Sequence, residues 1–231
     1  MIGFRELSQI SKLVCITGLL IFSAACNKDN GSGSTKVDFD RNAMLRNWSE
    51  QIIAPAYAHF DDQLNELQNA WIELAQNQYD SAHFVALHQD FKNCYLAFQQ
   101  IKSFEIGPAA DQSFRAQLNT YPADTSLIRQ NALAGITNLQ NASNIAAKGL
   151  PALDYLFFSK DAAAQITGTG NEAAAYRNYV DAVLMDIDAQ WNPVYKAWVS
   201  PGNYSADFEE ASGNATGSAL SQVVNALNKD Y

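Results

Sequence analysis

Histidine, cysteine and basic residues are all scarce in this chain of 231 residues. It contains three histidines, three cysteines, and 15 Lys and Arg residues against 24 Asp and Glu residues, which gives a formal net charge of −9. Proteins bind a nucleic-acid backbone through clustered Lys and Arg side chains, so we expect no nucleic-acid partner. The acidic balance favours solubility and leaves cation binding open.

The few cysteines also limit how the protein is stabilised. Cys15 and Cys26 lie near the N-terminus, and Cys94 is alone in the rest of the chain. If processing leaves Cys26 acylated, as argued next, no disulfide can form within the mature protein, and its stability must come from packing. Cys94 lies between Phe91 and Phe98, a pattern that favours a buried, unreactive thiol.

The apolar run at the N-terminus is too short to cross a bilayer, which requires about 20 residues. This run, Leu13 to Phe22, follows the basic residues Arg5 and Lys12 and precedes Ser-Ala-Ala and Cys26. A charged start, a short apolar core and small residues before the cleavage point are typical of a secretory signal peptide. Because the small residues end in a cysteine, the segment resembles a bacterial lipobox. We therefore predict that Cys26 is acylated and becomes the mature N-terminus.

The residues after the predicted anchor are polar and contain Gly-Ser-Gly-Ser. Such a tether behaves as a flexible coil with a reach of about 15–20 Å. We predict a signal peptide at residues 1–25, a tether at 26–36 and a helical domain at 37–231. The lipid anchor implies that the membrane is a partner. The predicted location is the bacterial cell envelope, as an outer-membrane lipoprotein on the periplasmic face or the cell surface.

Beyond the tether, apolar residues recur at intervals of three and four in three long stripes. The first is Leu45, Trp48, Ile52, Ala56, Phe60, Leu64, Leu67, Trp71 and Leu74; the second is Phe84, Leu87, Phe91, Cys94, Phe98 and Ile101; the third is Tyr176, Val180, Val183, Leu184, Ile187, Trp191, Val194 and Trp198. Only a helix places such residues on one face. Pro55 and Pro193 predict kinks or breaks. We predict an all-α fold, an antiparallel up-and-down helical bundle with the tryptophans in its core.

Two further stretches have weaker patterns. Asp124 is placed to cap a helix. That helix is predicted to carry Leu127, Ile128, Ile136 and Leu139. A last stripe consists of Leu220, Val223, Leu227 and Tyr231. It ends without a capping signal, which suggests that the sequence stops partway through a larger protein.

Residues 148–158, Lys-Gly-Leu-Pro-Ala-Leu-Asp-Tyr-Leu-Phe-Phe, resemble the signature region of the imelysin family. The Gly107-Pro108 turn and the Leu-Asn-Thr-Tyr-Pro of residues 118–122 agree with the family in order and spacing, and the resemblance covers roughly residues 37–231. It implies an envelope protein of two related helical halves, of which this sequence holds the N-terminal one and the opening of the second. Members are sometimes classed as insulin-cleaving metallopeptidases and are otherwise linked to iron uptake.

In its stronger form the family signature is Gly-x-His-x-x-Glu, whose His and Glu leave one helical face and could share a metal ion. Gly149, Pro151 and Asp154 stand at these positions here. Proline offers no metal ligand, so at most one protein ligand of the pair remains, whereas a catalytic zinc needs about three.

The same residues also have a purely structural interpretation. Gly149 is expected to end the preceding element, Pro151 to lie in the first turn of a helix, and Asp154 to lie near the positive end of that helix. A role for Asp154 in a cleft site is the alternative, and Lys148 is a candidate anion contact there. Pro151, at the position of the motif histidine, argues against catalysis because it cannot bind a metal ion.

The histidines supply a few other candidates. His88 lies on the second stripe with Phe84, Phe91 and Tyr95, which favours a hydrogen-bonded core histidine. His59 lies three residues before Asp62, a spacing that can place both on one side of a helix, and His83 follows Asp80 by the same interval. The candidate metal ligands are therefore Asp154, His59 and Asp62. The sequence contains no His-Glu-x-x-His, Cys-x-x-Cys or Gly-x-Ser-x-Gly motif.

The function we predict is a lipid-anchored, imelysin-like envelope protein with a binding role and no catalytic one. By the resemblance, its ligand would be iron, another divalent metal or haem, taken up from outside. A metallopeptidase of the imelysin type is the first alternative, and a surface protein-interaction module is the second.

Overall fold

The computed structural model describes residues 39–199 and 203–230, and every regular element in them is helical. The predicted signal peptide, the lipid attachment at Cys26 and the tether lie outside these residues. None of the described helices is both long enough and apolar enough to span a bilayer.

The helices and helical turns follow one another in this order: α1 (Arg41–Trp48), a π-helical turn (Ser49–Ile53), α2 (Ala54–Gln76), α3 (Ser81–Ile101), α4 (Pro108–Asp111), α5 (Phe114–Asn119), α6 (Thr125–Ala134), a 3-10 turn (Ala142–Ala147), α7 (Gly149–Phe158), α8 (Ala162–Thr167), α9 (Asn171–Val199), α10 (Asn203–Glu210) and α11 (Ala219–Asp230). The three long helices correspond to the three predicted stripes.

Helix α2 packs antiparallel to α9. The indole N–H of Trp71 on α2 donates to Asp181 on α9 over 2.6 Å, and the indole N–H of Trp191 on α9 donates to Asp61 on α2 over 2.8 Å. Helix α3 follows α2 after a short turn and is capped by Asp80, whose carboxylate accepts two backbone N–H groups of its first turn. The predicted all-α antiparallel bundle is thus confirmed.

The core is built around the tryptophans, as predicted. Trp71, Trp191 and Trp198 are almost completely buried, and Trp48 is half-buried against the core. The ring of Trp191 meets those of Tyr57 and Phe60 edge to face, with centroids 5.3 and 4.7 Å apart. Such contacts favour one arrangement of the core.

Cys94 is buried, as its position between two phenylalanines predicted. Burial raises the pKa of its thiol to about 12, so the reactive thiolate is suppressed.

The first stripe departs from the prediction at one turn. Ile52, predicted to face the core, is exposed, whereas Ile53 is buried. The cause is the π-helical turn, in which the N–H of Ala54 donates to the carbonyl of Ser49, five residues back. This wider turn rotates the buried face by one residue. It ends just before Pro55, in the first turn of α2, so the predicted break near this proline is confirmed. Helix α9 runs through Pro193 to its end at Val199.

Two other predicted helical faces are corrected. Asp124 caps α6 as predicted, but α6 ends at Gly135, which adopts a left-handed conformation, so Ile136 and Leu139 lie beyond it. In α11 the buried residues are Ala219, Val223 and Ala226, while Leu227 is partly exposed. Val223 of the predicted stripe is therefore buried and Leu220 is half-buried, so the prediction fails at Leu227. Alanine is a weak apolar signal, and Ala219 and Ala226 were not predicted to face the core. Tyr231 lies outside the described residues.

Candidate functional site

The start of α7 is fixed by a close contact with α5. Gly149 has a φ of +71°, and a Cβ at this position would overlap the carbonyl oxygen of Leu118. Only glycine fits, because it has no Cβ and accepts a left-handed backbone. Gly149 is the first residue of α7, so the prediction that it ends the preceding element is wrong. Pro151 lies buried in the first turn, as predicted, where its missing N–H leaves no helical hydrogen bond unmade.

Asp154 lies in the second turn of α7 and not near its positive end, so the helix dipole does not account for it. Its side chain reaches solvent, yet neighbouring atoms partly exclude water and raise the pKa of the carboxyl group. Among the described residues no side chain donates a hydrogen bond to it or forms an ion pair with it.

Pro151 and Asp154 form one wall of a pocket of about 450 Å³ between α3, α7 and the loop that follows α5. Five of the eleven residues that line it are aromatic; the full lining is Phe91, Tyr95, Tyr121, Pro122, Ala123, Thr125, Pro151, Asp154, Tyr155, Phe158 and Ser159. The rings of Phe91 and Tyr95 stack with centroids 6.0 Å apart, and Phe158 lies 5.5 Å from Phe91. Tyr121 is 82% exposed and Phe158 38% exposed, so two large rings face solvent at this site.

His88 lies behind this pocket, with its ring centroid 4.4 Å from that of Phe158. It is half-buried, at the edge of the core and not inside it as predicted. Desolvation lowers the pKa of His88, and a hydrogen bond with the backbone of Phe157 opposes that shift. The residue supports the pocket wall and is not part of the lining.

A buried ion pair joins Lys148, the residue just before α7, to Asp186 on α9. The Nζ of Lys148 lies 3.0 Å from Oδ2 of Asp186, and both side chains are at most 3% exposed. The Nε2 of Gln140 donates to Oδ1 of the same carboxylate over 2.5 Å. Lys148 is therefore committed to Asp186, which its candidate role as an anion contact did not foresee. The signal for this pairing was a lysine among Ala146, Ala147 and Leu150, where a charge needs a partner.

The other metal candidates lie elsewhere. His59 and Asp62 are exposed on α2, outside the lining of the pocket. His83 interacts with Asp80, with Nδ1 2.8 Å from Oδ2, at the start of α3. Across residues 39–199 and 203–230, no three His, Cys, Asp or Glu side chains come together closely enough to hold a metal ion.

The residues at the signature positions do not fit the metal site that the family motif implies. Pro151 has no lone pair to offer, and Asp154 has no second ligand beside it among the described residues. A divalent metal needs several oxygen, nitrogen or sulfur ligands. The arrangement suits the binding of a ligand between aromatic rings and a carboxylate.

Comparison with known proteins identifies the same family as the signature segment. A family model described as imelysin, peptidase family M75, matches residues 53–230. The fold is similar to the crystal structure of a protein from Parabacteroides distasonis ATCC 8503 described as an iron-regulated protein A precursor, with a TM-score of 0.65 and 14% sequence identity. The match covers 81% of this chain and 54% of that one, so the chain spans about half the length of this relative. Curated protein sequences give no match.

Proposed function

This chain belongs to the imelysin family, and we propose that it is a lipid-anchored binding protein of the bacterial envelope that does not cleave peptides. One observation carries the proposal. Where the family signature has its metal-binding histidine, Pro151 lies buried, and the one carboxylate left, Asp154, faces an aromatic pocket.

The composition of the pocket supports binding over hydrolysis. A zinc peptidase needs about three protein ligands and an open position for water. The pocket lining supplies a single carboxylate and no histidine or cysteine. Aromatic walls with a few polar groups are typical of ligand-binding pockets.

Iron acquisition is the process in which we place this protein, with iron, another divalent metal or haem as the ligand. Two things support the link: the resemblance of the signature segment to a family linked to iron uptake, and the description of the solved relative as iron-regulated. Attachment through Cys26 would keep the protein at the membrane, where such a ligand is taken up.

The proposal is tested by titrating the purified mature protein with iron, zinc and haem and measuring bound metal and haem spectra. We expect saturable binding of at least one of them at micromolar concentration. Because the pocket beside Asp154 supplies one carboxylate and no second ligand, Asp154→Asn should leave the binding of iron and zinc unchanged, as should Asp62→Asn, which removes the same charge from the exposed surface of α2. No uptake of any of the three ligands would contradict the link to iron.

A metallopeptidase is the alternative, and the classification of the family as peptidases favours it. It predicts cleavage of a denatured protein substrate, inhibition by a chelator, and loss of cleavage in Asp154→Asn. We expect none of the three. If all three were observed, the binding role would be wrong.

A further inference from the structure

The pocket beside α7 combines several aromatic rings with one isolated charge. Of the side chains that line it, Phe91, Tyr95, Tyr121, Tyr155 and Phe158 are aromatic, and Asp154 is the only charged one. The rings and the single negative charge together limit which chemical classes of ligand can bind in the pocket.

The rings offer a surface that attracts positive charge. The face of an aromatic ring carries partial negative charge and attracts ammonium groups within about 6 Å of its centroid. One ring of the pocket already has such a contact inside the molecule, because the Nζ of Lys92 lies 5.7 Å from the centroid of Phe158. The stacked pair of Phe91 and Tyr95 and the tilted ring of Phe158 form adjoining walls.

The carboxylate of Asp154 lacks a compensating charge. No ion pair or hydrogen bond reaches it from the described residues, although partial desolvation already disfavours its ionised form. A positively charged group in the pocket would pair with this carboxylate in a partly water-excluded setting, where the attraction is stronger than in bulk water.

Other ligand classes fit less well. An anion would find no Lys, Arg or His in the lining and would meet Asp154. A metal ion would find one carboxylate where it needs several ligands. A neutral apolar molecule would remove water from Asp154 without supplying a partner, which is costly.

We propose that the α7 pocket binds a small organic cation, a quaternary or alkylated ammonium whose charge pairs with Asp154 and whose alkyl groups contact the aromatic rings. This inference rests on the proposal that the pocket is a ligand site and not on the link to iron. Tyr121, the most exposed ring, would cover the bound cation, because the ring of Phe158 already contacts Lys92 and His88.

The test compares choline with 3,3-dimethylbutan-1-ol, which has the same shape but carries no charge. Both are titrated calorimetrically into the mature protein at low salt. We expect choline to bind at least about tenfold more tightly than the alcohol. Equal binding of the two compounds, or no binding of choline up to about 10 mM, would overturn the inference.

Variants assign the effect to the pocket. Asp154→Asn should weaken choline binding about tenfold and leave the alcohol unchanged, while Asp62→Asn should leave both unchanged. Tyr121→Leu, at an exposed ring, should weaken choline binding without lowering the melting temperature. Equal losses in Asp154→Asn and Asp62→Asn would place the cation outside the pocket and would also overturn the inference.

The outcomes separate this inference from the proposed function. Choline binding that depends on Asp154, without uptake of iron, zinc or haem, would support the organic cation and contradict the link to iron. Uptake of iron or haem without choline binding would retain the proposed function and contradict the organic cation.

Discussion

At the scale of single residues, Gly149 is the strictest requirement of the site. Both its left-handed backbone and the Leu118 carbonyl oxygen oppose a side chain. We expect Gly149→Ala to lower the free energy of unfolding by more than about 2 kcal/mol. Gly135→Ala is the matched control, because Gly135 has a similar φ of +68° but nothing within 4 Å of an added Cβ. It should lose only about 1 kcal/mol. Urea denaturation measures both, and equal losses would contradict the close contact.

The pKa of Asp154 predicts a pH-dependent stability change. Because folding raises this pKa above the usual 3.8, the folded state holds the proton more tightly than the unfolded state. The ionised group therefore opposes folding as the pH rises through the folded pKa. Asp154→Asn should raise the free energy of unfolding at pH 7 by at most about 0.5 kcal/mol, since solvent reaches the side chain.

The gain in Asp154→Asn should disappear near pH 3, where aspartate is protonated in both states. Urea denaturation at the two pH values checks this, with Asp62→Asn as the control. A loss of stability at pH 7 would show that Asp154 has a stabilising partner.

At the scale of elements, the π-helical turn decides which isoleucine supports the core. Ile53 is 1% exposed and Ile52 is 45% exposed. Ile53→Ala should lower the free energy of unfolding by about 2–5 kcal/mol, because it leaves a cavity. Ile52→Ala should change it by less than about 0.5 kcal/mol. Chemical denaturation of the two variants is the measurement, and the reverse order would support the buried face that the sequence predicted, with Ile52 in the core.

The attachment of α7 to α9 depends on the pair of Lys148 and Asp186. Removing one partner leaves a buried charge alone, so Lys148→Met should lose about 3–5 kcal/mol. The double variant Lys148→Met/Asp186→Leu should lose less than the two single variants together. Arg46→Met breaks an exposed ion pair with Glu209 and serves as the control, with a loss of at most about 1 kcal/mol. Additive losses in the double variant would contradict a direct interaction.

The positions of the long helices were predictable, and the exceptions have physical reasons. Apolar periodicity predicted α2, α3 and α9 because their buried faces recur at intervals of three and four. It missed the π-helical turn, because one wider turn leaves the spacing on either side unchanged. The end of α6 could have been predicted, since glycine commonly ends a helix and Gly135 is the residue that ends this one.

At the scale of the whole molecule, the predicted anchor has a direct test. If Cys26 is acylated, Cys26→Ser should move the protein from the membrane fraction to the soluble fraction. Labelling cells with a palmitate analogue and separating the membranes measures this. Loss of the label together with release from the membrane is the expected result. Membrane association that persists in Cys26→Ser would contradict the anchor.

Only part of the site could be predicted. Resemblance to the family drew attention to Gly149, Pro151 and Asp154, which share one short segment. The opposite walls, with Phe91 on α3 and Tyr121 in the loop after α5, come from distant parts of the chain. Their approach depends on how the helices pack, which periodicity does not specify.

The reciprocal bonds between α2 and α9 set the alignment of the two helices along their length. Trp71 and Asp61 are ten positions apart on one helix, as are Trp191 and Asp181 on the other. Sliding one helix by a single turn, about 5.4 Å, would strand both indole donors and both carboxylates at once. These two bonds therefore favour one alignment of α2 and α9 along their length. Because α3 packs on α2 and α7 packs on α9, the positions of the pocket walls on α3 and α7 depend on the same alignment.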